Sequence, residues 1–223
     1  MYQNPYIKIK PKTKKPYTEI YLIRHCNPDY SLESKLGERN MPLSADGLKQ
    51  RRYLTKKLLT LSIDKIYSSE IKRAHDTALL YAKRTKKEIV IDDRLNEIDW
   101  KNWTQIRYFN VSEKMRTKHL KNYRDLDGQL DRMQVIARRA LSDIFKKNKG
   151  RRVAIFSHGN FIKSLLTGVL NADLIGFLSL EIFQSSISKL VIDRDGYIKI
   201  TYINDATHLP FAPQEDLFIT QHD

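Results

Sequence analysis

Residues 152–159 read Arg152-Val153-Ala154-Ile155-Phe156-Ser157-His158-Gly159. An apolar run of this length and composition predicts a strand buried on both faces. It breaks at His158-Gly159, and Asn160 to Leu170 then reads as a helix. A second stretch repeats the pattern. Ile20-Tyr21-Leu22-Ile23 is a short apolar run of strand formers that ends in Arg24-His25 and a loop through Cys26, Asn27 and Pro28.

Working outward from these two strands, Ser44 reads as the N-cap of a helix carrying Leu48, Tyr53, Leu54, Leu58, Leu59 and Leu61. Ile63 to Tyr67 is the next strand, Ser68-Ser69 a loop, and about Glu70 to Lys83 a helix. Glu88 to Ile91 is a short strand. From Gln129 to Lys147 the apolar positions Leu130, Met133, Ile136, Ala137, Ala140, Leu141 and Ile144 recur at three and four, which predicts a helix stopped by Gly150. Ile187–Ile192 and Tyr197–Ile203 read as strands around an Asp195-Gly196 turn. Strands alternating with helices predict an α/β fold of three layers, with a mixed, mainly parallel sheet and helices on both faces. In such sheets the site lies beyond the carboxyl ends of the strands. Two strands here end in a histidine, and a third ends in Ser68-Ser69 a few residues before Arg73.

The composition fits this reading. The chain has 223 residues, 41% hydrophobic and 30% charged, enough apolar material for a core and too much for wholesale disorder. One domain is expected over residues 19–223, after a basic extension over 1–18 that holds five lysines and no acid. Trp100, Trp103, Tyr108 and Phe109 sit among charges without a clean period, so a basic helical excursion near the active site is expected at about 100–128. No apolar run approaches bilayer length, so no membrane span is expected. No apolar segment follows the N-terminal lysines, so no signal peptide is expected either. Cys26, the one cysteine, excludes an internal disulfide and a cysteine-rich zinc site, and makes a reducing, cytoplasmic setting the default. The net charge of +14 draws anions of any kind. No nucleic-acid motif accompanies it, so no specific nucleic-acid partner is expected.

The converging residues suit phosphoryl chemistry. A phosphoryl dianion in a dry site needs fixed donors, and the arginine fork of Arg24 or Arg73 matches its oxygens. A neutral imidazole, His25 or His158, is a competent nucleophile toward phosphorus. A leaving alkoxide needs a proton, for which Glu97 and Asp99 are candidates. This chemistry demands no metal and no cofactor, because cationic side chains can stabilise the transferring charge.

Six segments in register resemble the histidine phosphatase superfamily, which also contains the cofactor-dependent phosphoglycerate mutases. They are Leu22-Ile23-Arg24-His25, the Pro42-Leu43-Ser44 helix start, Ser68-Ser69 through Arg73-Ala74 to Thr77-Ala78, Leu95-Asn96-Glu97, Ser157-His158-Gly159, and Asn204 through His208-Leu209. The resemblance implies the phosphoglycerate mutase-like fold and a metal-independent phosphomonoesterase acting through phosphohistidine. It implies that His25 attacks phosphorus, that Arg24, Arg73 and His158 hold the phosphoryl oxygens, with Asn27 added as an amide donor, and that Glu97 protonates the leaving oxygen. The implied substrate is a small phosphorylated molecule, with a second anionic group as an option suggested by the basic charge. Cys26 stands where the family usually has glycine, and Asn27-Pro28 replaces an acid and a hydroxyl residue. The alternatives are a mutase-type phosphotransferase and a phosphate-binding pseudoenzyme.

Overall fold

The computed structural model describes residues 17–98 and 113–210, by backbone alone over 113–127. Six strands form one sheet: β1 (Thr18–Arg24), β2 (Lys65–Ser68), β3 (Ile89–Ile91), β4 (Arg152–Ser157), β5 (Ile187–Ile192) and β6 (Ile198–Asp205). Their order is β3-β2-β4-β1-β5-β6. The first four are mutually parallel, β5 runs antiparallel to β1, and β6 antiparallel to β5. The helices are α1 (Glu33–Leu36), α2 (Ala45–Leu59), α3 (Lys72–Thr85), α4 (Glu113–Lys147), α5 (Gly159–Leu170) and α6 (Leu174–Leu178).

Side-chain alternation along β1 and β4 builds the two faces of the core. Ile20 and Leu22, with Val153 and Ile155, pack against Ala137, Ala140, Leu141 and Ile144 of α4 and Phe161, Ile162, Leu165 and Leu166 of α5. The intervening Tyr21, Ile23, Ala154 and Phe156 pack against Leu54 and Leu58 of α2 and Ala78, Tyr81 and Ala82 of α3. The three-layer, mainly parallel architecture expected from the alternation of elements is therefore the one observed.

Several elements differ from expectation. β1 begins at Thr18, whose buried Oγ1 accepts a hydrogen bond from Gly150 N at 2.9 Å. The helix expected from Gln129 begins at Glu113 and runs through Gly128 without a break. The five-residue α6 is an addition, capped by Asp173 on Gly176 N. The extension up to residue 16, the aromatic cluster Trp100 to Phe109, and Asp99 lie outside the described residues, as do the side chains of the rest of the expected excursion. Among the described residues, no helix is long and apolar enough to cross a membrane.

The loop after β1 is seated on the start of α2. Ser44 caps that helix by accepting from Gly47 N at 3.0 Å, while Asn27 O accepts from Ser44 N at 3.0 Å and Asn27 N donates to Gln50 Oε1 at 2.8 Å. A Cβ added at Gly47 would lie 2.0 Å from Asn27 O. Gly47→Ala must therefore push the loop away, and urea unfolding should show a loss of about 1–3 kcal/mol, the range for overpacked sites.

Candidate active site

Register places the site. Arg24 pairs with Ser157 across β1 and β4, and Ser68 with Phe156 across β2 and β4, so the residues that follow leave the sheet at one level. The ladder extends one step further, with His25 N donating to Ser157 O at 2.9 Å and Ser69 N to Phe156 O at 3.0 Å. His25 and His158 thereby face each other, ring centroids 5.1 Å apart and tilted by 57°.

His25 is buried, with Nδ1 2.8 Å from the Cys26 carbonyl oxygen. A carbonyl only accepts, so Nδ1 holds the proton and Nε2 presents its lone pair. That lone pair receives a hydrogen bond from Arg73 Nε at 3.2 Å. Burial, then the charges of Arg73 and Arg24, hold the imidazole pKa well below the usual value, so the ring is neutral at pH 7.

His158 is fully buried, and its Nε2 lies 2.8 Å from Ser69 Oγ. The Ser69 hydroxyl donates to Asn96 Oδ1 at 2.7 Å, so its oxygen accepts from His158 Nε2–H. His158 Nδ1 has no hydrogen-bond partner among the described residues. Burial, then His25, Arg73 and Arg24, push its pKa well down as well.

Each arginine is held by one carbonyl and one carboxylate. Arg24 Nη1 donates to Ile182 O and lies 3.9 Å from Glu181 Oε1. Gly159 makes room for it, since a Cβ there would lie 3.3 Å from Arg24 Nε. Arg73 Nη1 donates to Glu38 O at 2.9 Å and Nη2 to Glu38 Oε1 at 2.9 Å.

Glu97 follows the short 3-10 turn Asp93–Leu95, which Ser157 Oγ anchors through Leu95 O at 2.6 Å. Its Oε1 accepts from Ile98 N at 3.0 Å. Burial raises its pKa against the pull of that N–H, Arg24 and Arg73, which favours the protonated acid. Asn27 lies in the loop after β1, where its N–H donates to Gln50 Oε1 and its carbonyl oxygen accepts from Ser44 N.

Cys26 shows why a residue other than glycine fits beside His25. Its backbone is outside the left-handed region, its N–H donates to Thr77 Oγ1 at 2.9 Å, and its side chain packs in the core facing α2 and α3. Burial pushes the thiol up to about 12, leaving it inert. Reasoning from sequence missed Ser69 as the partner of His158, although the Ser68-Ser69 motif marked the place. It also missed Glu38, for which no pattern exists, and Lys163. The last is buried on α5, its ammonium 4.7 Å from the Phe177 ring centre, with burial lowering its pKa to about 8.

The site is thus a sheet-end pair of histidines flanked by two held arginines, whose guanidinium donors suit the oxygens of a phosphoryl group. Residues 20–206 match the model of the histidine phosphatase superfamily (branch 1), and the chain belongs to that family. It is 25% identical over 211 residues to the probable phosphoglycerate mutase GpmB of Enterobacter sp. (strain 638), covering 89% of this chain and 98% of that one. It is 24% identical over 203 residues to phosphoserine phosphatase 1 of Hydrogenobacter thermophilus, covering 86% and 94%. Its fold matches a mutant phosphoserine phosphatase from Entamoeba histolytica in complex with phosphoserine, with TM-score 0.69, 21% identity and coverage of 86% and 99%.

The buried neutral histidines have a consequence for stability. His25, His158 and also His208, lowered to about 4 by burial, resist protonation when folded, whereas the unfolded chain takes up those protons near pH 6.5. Their contribution is complete above about pH 6.5 and is lost as the pH falls toward the folded values. Stability against denaturant should be lower at pH 5 than at pH 7, and His25→Asn should flatten that dependence.

Proposed function

We propose that the protein is a metal-independent phosphomonoesterase that works through a phosphohistidine on His25. The observation that carries this is the tautomer of His25: the Cys26 carbonyl holds the Nδ1 proton, so Nε2 is a bare nucleophile in a pocket walled by Arg73, Arg24 and His158. The phosphoryl group displaces Arg73 Nε from Nε2, and the two guanidinium groups take its oxygens. His158 Nδ1, without a hydrogen-bond partner among the described residues, takes a proton as the dianion arrives and donates it in a third hydrogen bond.

Nε2 then attacks phosphorus in line, the P–O ester bond breaks, and the electron pair leaves with the alkoxide. Glu97, its pKa raised by burial, protonates that oxygen. In the second half, Glu97 as carboxylate takes a proton from water, the water oxygen attacks phosphorus, and the P–N bond breaks to restore neutral His25. Asn27 is left with a supporting role in seating the loop.

The substrate class in this reading is a small phosphorylated molecule. The similarity to GpmB favours a second reading, in which the phosphohistidine is returned to an organic hydroxyl instead of water. Dependence on a bisphosphate primer separates the two.

Hydrolysis of an aryl phosphate in the presence of chelator should release phosphate from the wild type and not from a folded His25→Ala variant. Loss of activity on chelation would sink the metal-independent mechanism. Glu97→Gln should slow alkyl phosphates by about 10²–10⁴-fold, the usual worth of a general acid, and activated aryl phosphates far less. Equal slowing of both would show that Glu97 is not the acid.

A further inference from the structure

Lys163 is a buried cation that neither half of the reaction above employs. It lies on α5, the helix whose first turn borders the site. Gly159 at its start packs against the Arg24 guanidinium, and the backbone of Phe161 meets the Glu97 carboxylate. Side chains on a helix lean back over the turn that precedes them. Lys163 is one turn beyond Gly159, so its side chain returns toward Arg24 and Glu97. Its ammonium stops 4.7 Å from the centre of the buried Phe177 ring of α6. The charges that act on it there are those of Glu181, Arg24 and Glu97. Burial lowers its pKa to about 8, which still leaves it charged at pH 7.

A buried charge needs a counter-charge. Arg24 and Lys163 share the fixed carboxylate of Glu181, whose Oε1 is 3.9 Å from Arg24 Nη1, too far for a hydrogen bond. Among Arg24, Lys163, Glu181 and Glu97, charge therefore balances only when Glu97 is ionised. The reaction makes opposite demands on Glu97. It must hold a proton while the ester breaks and be a carboxylate when water attacks. Burial favours the first state, while Arg24 and Arg73 favour the second. A phosphoryl group on His25 works against that second state, because it repels the carboxylate and engages both arginines. Lys163 is not among the phosphoryl ligands, so its charge is left for Glu97. We propose that Lys163 is a positioning residue for the acid: its ammonium favours the carboxylate form of Glu97 once the ester has broken, and so permits Glu97 to activate the hydrolytic water. This rests on the phosphomonoesterase reading of the site.

Lys163→Met and Lys163→Gln remove the charge at similar side-chain length, and Lys163→Arg keeps it. Replacing a buried charged group by an apolar one of like volume is often neutral for stability, and the glutamine variant provides a second uncharged form. The carbon-13 resonance of the Glu97 carboxyl, identified by its loss in Glu97→Gln, is followed against pH. Its midpoint should rise by about one pH unit in both uncharged variants, the lower end of the effect of one nearby opposite charge, and stay near the wild-type value in Lys163→Arg. Alkali-quenched turnover of an alkyl phosphate, at a pH below both midpoints, gives the second readout. The uncharged variants should hold about tenfold more phosphohistidine relative to free enzyme, because the carboxylate that activates water is about tenfold scarcer. An unchanged midpoint overturns the proposal, and so does a midpoint that rises as much in Lys163→Arg. A moved midpoint with no gain in phosphohistidine overturns the role in the second half. If the wild type forms no phosphohistidine while the midpoint moves, the phosphomonoesterase reading falls and the coupling of Lys163 to Glu97 stands.

Discussion

The whole site hangs on one register, the parallel pairing of β1 with β4 that sets Arg24 opposite Ser157. Because the two strands end together, two imidazoles step off the sheet at the same height and turn toward each other. A slip of one residue would exchange the two faces of β1, sending Ile20 and Leu22 where Tyr21 and Ile23 now pack. The cost of that exchange is distributed over two cores, and so the catalytic geometry is secured by ordinary apolar burial. β2 enters the same frame through Ser68 and Phe156, which brings Ser69 within reach of His158. Packing thus fixes the positions of polar groups that have no strong preference of their own.

The pocket solves an electrostatic problem. Two arginines and two imidazoles share a small buried volume, and four positive charges there would repel strongly. Both rings stay neutral, and each guanidinium is matched by one backbone carbonyl and one carboxylate, Ile182 with Glu181 for Arg24 and both groups of Glu38 for Arg73. Lys163 adds a third cation close by, and burial on α5 moves its pKa down to about 8. In the proposed reaction a phosphoryl dianion adds negative charge to this cluster, and proton uptake by His158 would follow from that attraction.

Much of this was readable from local pattern. β1, β4 and the histidines that end them stand out because a buried strand is a contiguous signal, and Arg73 and Glu97 follow from short motifs with fixed spacing. The pattern was silent where meaning depends on distant partners. Glu38 lies in a polar stretch without period, and its role exists only through Arg73, 35 residues away. The early turns of α4 were missed because charges from Glu113 onward conceal any apolar stripe and Gly128 suggests a break. The seating of the Asn27 backbone on α2 likewise depends on a partner distant in sequence, Gln50. Cys26 stands where the family usually has glycine, and its backbone, outside the left-handed region, does not need one.

The last of the matching segments, Asn204 to His208, is far from the chemistry in sequence, yet geometry explains why it belongs with the rest. The loop that enters β5 touches the Arg24-His25 pair at four points: Glu181 and Ile182 reach the Arg24 guanidinium, Ser186 O accepts from Arg24 N, and Ser185 N donates to His25 O at 3.1 Å. To do this Ser185 adopts a φ of 68°, a left-handed conformation that a serine holds only at some cost. The conformation is secured from behind. His208 Nε2 meets Ser185 Oγ at 3.0 Å, and Asn204 Oδ1 accepts from Phe183 N at 2.6 Å. Asn204 itself sits at φ 60°, where asparagine is among the more tolerant residues. Segments far apart in the sequence therefore meet at one strained turn. The backbone that presents His25 is held on one side by β4 and on the other by a loop whose shape is set by Asn204 and His208.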